Sequence, residues 1–505
     1  MKKLIIATVL LLTCLTAAAG PVSSKRAVIV AENFIRFQYG KHGVSIDGLF
    51  SAVEVSAPAG VENIHVVNYL WIPNYSSSYL YQGYVIVSGD DIADPVLAFS
   101  RTALFGTTDI CPAMLAHLQG YGRQIEAAKA KGVQPTASVS RKWQLLETDE
   151  WRSLLGKGDI NDDYIPNLLG DMRWGQGQPY NDLCPGGSVT GCVATAFGMI
   201  MNYWDWPEHG WGQHSYNGEN NPAAYPNWTY GELSADFEHT YYDWEHMADY
   251  AVINSSDSVK RAISTLLFQI GVSLDMHYTP EGSGCWSLPE YAIFDTSLHL
   301  EPTLGADYRI PKHFGYKYSY AGMRDSIGND SLWMQMLYTS LKEGKPIYYA
   351  GWAKDDSEAG HSGTSGHGYI LDGYFSDITD SNFFHINWGW SGSYNDYFKL
   401  DAMKPSSSDF TQWHGAIIGL EPDSAYQGYN PAAIRPVEVS NALVYSQRDR
   451  IVMRQLEGQP VAVFDIMGRR IASQGQRDEW SLSVRPGIYL VRVGNAQSKK
   501  IAVIY

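Results

Sequence analysis

The chain holds 505 residues, 45% hydrophobic and 18% charged, which supplies sizeable cores and argues against wholesale disorder. With 37 Lys+Arg against 53 Asp+Glu its formal net charge is −16, a poor match to nucleic acid or an anionic membrane surface. Its 34 Tyr, 16 Trp and 48 Gly favour loops, turns and stacking surfaces, and argue against a coiled coil or a repeat solenoid.

Residues 1–19, MKKLIIATVLLLTCLTAAA, read as an export signal: Lys2 and Lys3, an apolar stretch from Leu4 to Leu15, and an A-x-A site at Ala17 to Ala19. As a helix the apolar part spans ~18 Å, short of a ~30 Å bilayer core. A membrane anchor and lipidation at Cys14 are the competing readings, and Thr13 before Cys14 fits a lipid-attachment box poorly. No later stretch reaches ~18 uninterrupted apolar residues, so no membrane span is expected after signal removal. Cys111, Cys184, Cys192 and Cys285 then remain, too few for a disulfide scaffold.

Beyond the signal, Arg26 to Tyr39 predicts a helix, residues 84–87 and 96–99 strands, and Met114 to Lys131 a second helix. From Gly132 to Asp163 the chain is polar and irregular, and reads as a linker whose Arg141 and Lys142 are exposed to proteolytic nicking. Ile165 to Pro422 forms the next region, with helices after Cys192 and around Val259 to Ile270. Strands follow at 347–350, 368–371, 383–388 and 396–400. Helices first and strands later predict an α+β domain with two lobes. After a hinge at 424–436, residues 437–505 alternate strands and turns, as in a small all-β sandwich. Eleven Lys/Arg against six Asp/Glu in 431–505 give this tail a charge of about +5 in an otherwise acidic chain.

Within PGGSVTGCVATAFGMIMNYW, Cys192 stands where a Gly-rich loop turns into a helix. Unpaired N–H groups and the positive end of the helix dipole favour thiolate there, the form that attacks a carbonyl carbon. A small buried core cysteine is the rival reading. Gly191 favours the first, because it permits close backbone approach of a substrate. A thiolate nucleophile needs an imidazole and an orienting group. His367, in SGHGYILDGY, lies between glycines directly before an apolar strand, and Asn387 ends another strand in HINWGWSG. Asn387 can accept the imidazole N–H, with Trp388 covering that hydrogen bond from water. A metal pair of His361 with His367, a surface histidine, and an asparagine that merely makes a turn are the alternatives. The Cys192 N–H is one donor for a developing oxyanion, and Gln176 in WGQGQPYN, sixteen residues upstream, is the candidate second. On its own, Gln176 reads as an ordinary loop residue before it reads as an oxyanion donor. No HExxH, CxxC, GxSxG or phosphate-binding Gly-rich loop is present, and no cofactor or metal is implied.

Taken together, WGQGQPYNDLCP, TGCVATAFGMIMNYW, SGHGYILDGY and HINWGWSGSYNDYFKLDAM resemble the streptopain family of papain-like cysteine proteases across about 165–420. The resemblance implies Cys192 as nucleophile, His367 as general base and acid, Gln176 in the oxyanion hole, and Asn387 as orienter under Trp388. It also marks DMHYTPEGSG at 275–284 as similar to the family's substrate-side loop. Residues 20–140, notably YVIVSGDDIADPVLAFS, look like that family's inhibitory propeptide. The tail, through VAVFDIMGRRIA and PGIYLVRV, looks like a type IX secretion sorting domain.

The expected architecture is therefore a signal peptide (1–19), an α+β inhibitory propeptide (20–145), a papain-like two-lobed catalytic domain (146–425) and a small β-sandwich sorting domain (437–505). The implied activity is that of a secreted or cell-surface cysteine endopeptidase made as a zymogen. Its partners would be protein or peptide substrates, its own propeptide as intramolecular inhibitor, and the secretion machinery through the tail. An acyl transferase using the same dyad and a non-enzymatic surface adhesin are the rival functions. Cys184 and Cys285 can bridge each other, or Cys184 can pack in its Cys-Pro turn; both readings stand.

Overall fold

The computed structural model describes residues 19–426, apart from 74–79, 107–109, 156–163, 219–229, 289–304, 354–365, 377–381 and 404–411, and the strands of a C-terminal unit from 443 onward. The expected signal lies outside the described residues, with the exception of Ala19. Among the described residues no helix is long and apolar enough to cross a membrane.

The N-terminal part runs α1 (Ser24–Gly40), β1 (Gly48–Val55), β2 (Ile64–Pro73), β3 (Tyr81–Ser88), β4 (Val96–Phe99), α2 (Pro112–Ala130) and α3 (Ala137–Glu147), then a 3-10 turn (Asp149–Leu154). The helix starts have local causes: Ser23 and Thr136 accept N–H groups from Arg26 and Val139, and Pro112 opens α2. The next part runs β5 (Tyr164–Ile165), α4 (Cys192–Trp204), β6 (Gln213–Asn217), β7 (Glu232–Asp236), α5 (Asp257–Ser273), α6 (Ala306–Phe314), β8 (Tyr316–Lys317), β9 (Tyr320–Met323), α7 (Asp330–Lys342), β10 (Ile347–Ala353), β11 (His367–Ser376), β12 (Asn382–Asn387), β13 (Asp396–Phe398) and β14 (Gln412–Ile418).

One mixed-origin sheet joins the two parts, in the order β1-β2-β3-β4-β13-β12-β11-β10-β14-β9, with β5 on β11. The joint is antiparallel, Phe99 opposite Tyr397 and Ala98 opposite Phe398. Alternation along each strand divides the packing. Tyr348, Ala350 and Ile370 face the core under α4 and α5. Ile347, Tyr349, Tyr369 and Leu371 face a core closed by α2 and α7. A third core packs α1 and α3 on Val67, Tyr69 and Phe99, together with Phe375, Phe383 and Tyr397 of the second part. Two of the three large cores are thus built from both parts of the chain.

The polar stretch expected to be a linker is different in the structure. Residues 137–147 are helical, and Val139, Trp143 and Leu146 are buried against α1. Lys142, expected to be exposed, is 3% exposed; its ammonium meets Asp94 at 2.9 Å, and Asp94 also binds Lys399. Arg141 does lie at the surface, paired with Glu150. One buried carboxylate thus ties α3, the loop between β3 and β4, and the far part of the chain together. At the C-terminal end, strands within 443–503 form a three-stranded and a four-stranded sheet around Ile451, Met453, Val461, Val463, Tyr489 and Val491.

Asp94→Asn removes the carboxylate shared by two buried ammonium groups, and breaking such a site costs about 3–5 kcal/mol. Chemical denaturation of the full chain should show a loss of that size, whereas Lys142→Met, which leaves the Asp94–Lys399 pair, should cost less.

Candidate active site

Cys192 is the first residue of α4, and the chain reaches it through Gly191 at φ +88°. A side chain at 191 does not fit: Sδ and Cε of Met276 lie 2.9 Å, and the Ser283 carbonyl oxygen 3.1 Å, from where its Cβ would stand. The half-buried thiol receives the Gly368 N–H at 3.4 Å. Burial raises the Cys192 pKa, and the N–H groups of Gly368, Val193 and Cys192 itself pull it back only in part. The helix-terminal lowering expected for this thiol is therefore present but outweighed by desolvation.

His367 opens β11 opposite Gly351, one residue from the N–H that meets the thiol. Its ring makes no hydrogen bond among the described residues, and burial pushes its pKa down to about 4. A thiol pushed up and an imidazole pushed down each favour the neutral form. His361 lies outside the described residues.

Gln176 sits in a turn whose carbonyl accepts the Thr190 N–H at 3.0 Å, two residues before Cys192. The same turn leans on the 389–392 turn: the Ser391 N–H bonds the Trp174 carbonyl at 3.0 Å, and Gly175 leaves room for the Ser391 hydroxyl. The Gln176 side chain is half-buried and makes no hydrogen bond among the described residues.

Asn387 ends β12, fully buried, but its amide is engaged elsewhere. Its Nδ2–H donates to the Met172 carbonyl at 2.8 Å, and its Oδ1 accepts the Gly389 N–H at 3.1 Å. The hydrogen bond expected between Asn387 and the imidazole is not made in this structure. Trp388 donates its indole N–H to the Tyr394 carbonyl at 2.9 Å and packs on Tyr369 at 4.8 Å between ring centroids. Its ring also meets His117 of α2 at 5.6 Å, so a helix of the N-terminal part reaches the tryptophan directly. His117 in turn hydrogen-bonds the Lys399 carbonyl at 2.8 Å. Cys184 and Cys285 are free thiols, which removes the disulfide reading. Burial pushes Cys184 up to about 12.

Sequence reading missed a polar cluster at the seam between the two parts. Asp396, beside the joint, accepts the Tyr84 hydroxyl at 3.4 Å from β3. Burial pushes its pKa up to about 7, against the pull of His385, Ser100, Tyr84 and Arg101. His385 itself is held by Asp372 at 2.6 Å. Tyr84 and Asp396 are 312 residues apart, and no local pattern in the chain could have joined them.

The sequence profile of the Peptidase C10 family matches residues 174–398, and that of the Spi protease inhibitor matches residues 19–125. The thiol protease/hemagglutinin PrtT of Porphyromonas gingivalis is 27% identical over 441 residues, 84% of this chain; the chain spans only 45% of that protein's length. Streptopain of Streptococcus pyogenes is 27% identical over 380 residues, covering 69% of this chain and 81% of streptopain. The solved structure of prointerpain A from Prevotella intermedia superposes with a TM-score of 0.51 at 23% identity, over 73% of this chain and 98% of that one. The fold is therefore the papain-like α+β arrangement expected, with the pro-region in place. Residues 174–398 thus match the Peptidase C10 family of cysteine peptidases, and residues 19–125, on their N-terminal side, match a Spi-type inhibitor domain.

The seam predicts a pH dependence. Asp396 holds a proton up to about 7 in the precursor, whereas an exposed Asp titrates near ~3.9. The docked state therefore binds more protons, and docking is tightest below the exposed value. It weakens about tenfold per pH unit as pH rises between the two, and is level above them. With Cys192→Ala chain nicked by an added protease, size-exclusion chromatography should show the pro-region dissociating more readily as pH rises through this window. Asp396→Asn should flatten the slope by about one decade per unit; equal slopes would rule the carboxyl out.

Proposed function

We propose that this chain is the exported precursor of a cysteine endopeptidase, with Cys192 as nucleophile and His367 as its proton carrier. The observation that carries the reading is the Gly368 N–H on Cys192 Sγ, which sets the start of β11, and with it His367, against a thiol at a helix N-terminus. In the released enzyme the Cys192 sulfur attacks the peptide carbonyl while His367 takes its proton and passes it to the leaving amine. The Cys192 N–H and the Gln176 amide hold the oxyanion, and water then hydrolyses the thioester.

Asn387 acts in this reading through the turns it holds: Met172 and Gly389 flank the Gln176 loop and the Trp388 turn. Trp388 shields the His367 strand from water on the face that α2 covers in the precursor. The neutral Cys192–His367 pair fits a resting zymogen, because neither group carries the charge its role requires. The pro-region reaches further than residue 145. The turn at 149–154 places Trp151 in a small core with Phe37 and Leu145, so we assign 20–155 to the inhibitor and the activating cut to the chain beyond Leu155. Export by the 1–19 signal, handling of the basic tail by a type IX secretion machinery, and protein substrates in the extracellular space complete the proposal.

Wild-type chain held under mild reduction should shorten by the mass of the pro-region and then digest casein, as followed by gel and mass spectrometry. Cys192→Ala should stay whole and inactive, and His367→Ala should retain at most a trace of turnover. Removing the Gln176 amide should cost on the order of 10²–10³ in kcat, and Asn387→Ala less than Cys192→Ala. Substantial cleavage by Cys192→Ala would sink the assignment.

A further inference from the structure

The hairpin from Met276 to Cys285 lies against the loop that delivers Cys192, and it is tied down at both ends. At its tip the Ser283 hydroxyl donates to the Val189 carbonyl at 2.6 Å, and the Val189 N–H donates to the Thr279 carbonyl at 3.2 Å. Cross-strand bonds between His277 and Gly284 close the hairpin at 2.8 and 3.1 Å.

The root is held by charge. After α5 the chain reverses through Asp275, a non-glycine residue at φ +51°. Its carboxylate accepts the Nε2–H of His214 on β6 at 2.5 Å and a guanidinium N–H of Arg309 on α6 at 3.2 Å. Arg309, 7% exposed, also lies against the same imidazole, its Nη1 3.1 Å from Nε2 and 3.3 Å from Nδ1. Two residues along β6, the Tyr216 hydroxyl donates to the Met276 carbonyl at 2.5 Å. Directly after this anchor, the end of the Met276 side chain occupies the space beside Gly191, 2.9 Å from where a Cβ would stand, at the residue whose positive φ starts α4.

We propose that Asp275 is a positioning residue for Cys192: its carboxylate, clamped by His214 and Arg309, fixes the hairpin root, and Met276 passes that position to the Gly191 turn that aims the thiol. The proposal rests on Cys192 being the nucleophile. Asp275 makes its hydrogen bonds to His214 and Arg309, not to the thiol, and acts through Met276. A small displacement of a reacting group by a distant substitution can cost on the order of 10²-fold in rate.

The test uses the full chain and two readouts: kcat and KM on a fluorogenic peptide after activation, and the rate of Cys192 alkylation by iodoacetamide against pH in the unprocessed chain, read on the Cys192 peptide by mass spectrometry. Asp275→Asn should lower kcat about 10–100-fold with little change in KM, and shift the alkylation profile, while the unfolding transition stays cooperative. His214→Gln, whose amide still donates to the carboxylate, should keep most of the activity that His214→Ala loses. Wild-type kcat and an unshifted alkylation profile in Asp275→Asn would overturn the proposal. So would a loss that follows the folded fraction alone, with His214→Gln no better than His214→Ala. If the wild type cleaves no peptide, the peptidase reading fails, yet the alkylation profiles still decide whether Asp275 positions the thiol.

Discussion

The antiparallel contact between β4 and β13 is the constraint on which the precursor is built. A sheet edge presents unpaired N–H and C=O groups, and β13, three residues long, receives its partner from the pro-region. Once that register is set, the remaining contacts follow from alternation. Phe99 falls among Phe375, Phe383 and Tyr397 on one face, and Ala98 faces the α2 core on the other. The inhibitor is thus bound as an extension of the enzyme's own fold, and α2 arrives over Trp388 as a result.

The same burial governs the chemistry. A helix N-terminus offers its N–H groups to Cys192 in every environment, but the charge they stabilise must also be solvated. Desolvation outweighs those donors at the thiol and lowers the proton affinity of the imidazole, so two opposite shifts favour the neutral form of each group. Both shifts have one cause, burial, which disfavours the charged form of each group.

Legibility in the sequence followed the range of the interaction. The helix at Cys192, the strands after 347 and the helices over 26–39 and 114–131 rest on local periodicity and glycine placement, and the structure has them. Asn387 was read from its strand-end position, but its two amide bonds depend on Met172, 215 residues away. Helix α3 was hidden for a related reason. Only Val139, Trp143, Leu145 and Leu146 supply its buried apolar side chains, and Lys142 reads as surface until Asp94, 48 residues earlier, supplies a buried counter-charge. The clamp on Asp275 draws on β6 and α6, which carry no pattern pointing to each other. The thiols of Cys184 and Cys285 illustrate the remaining limit, since pairing depends on geometry that spacing alone does not encode.

The length of β13 has a bearing on solubility. In the precursor the outer strand of the pro-side is β1, eight residues long, with Leu49 and Val53 more than half exposed. Long apolar edges invite pairing with other chains, and short ones resist it. Departure of the pro-region removes that long margin and leaves a three-residue stub ending the sheet. Maturation therefore exchanges one exposed margin for another: the long edge of β1 is lost, while Phe375, Phe383 and Tyr397, which the pro-region covers, are bared to water.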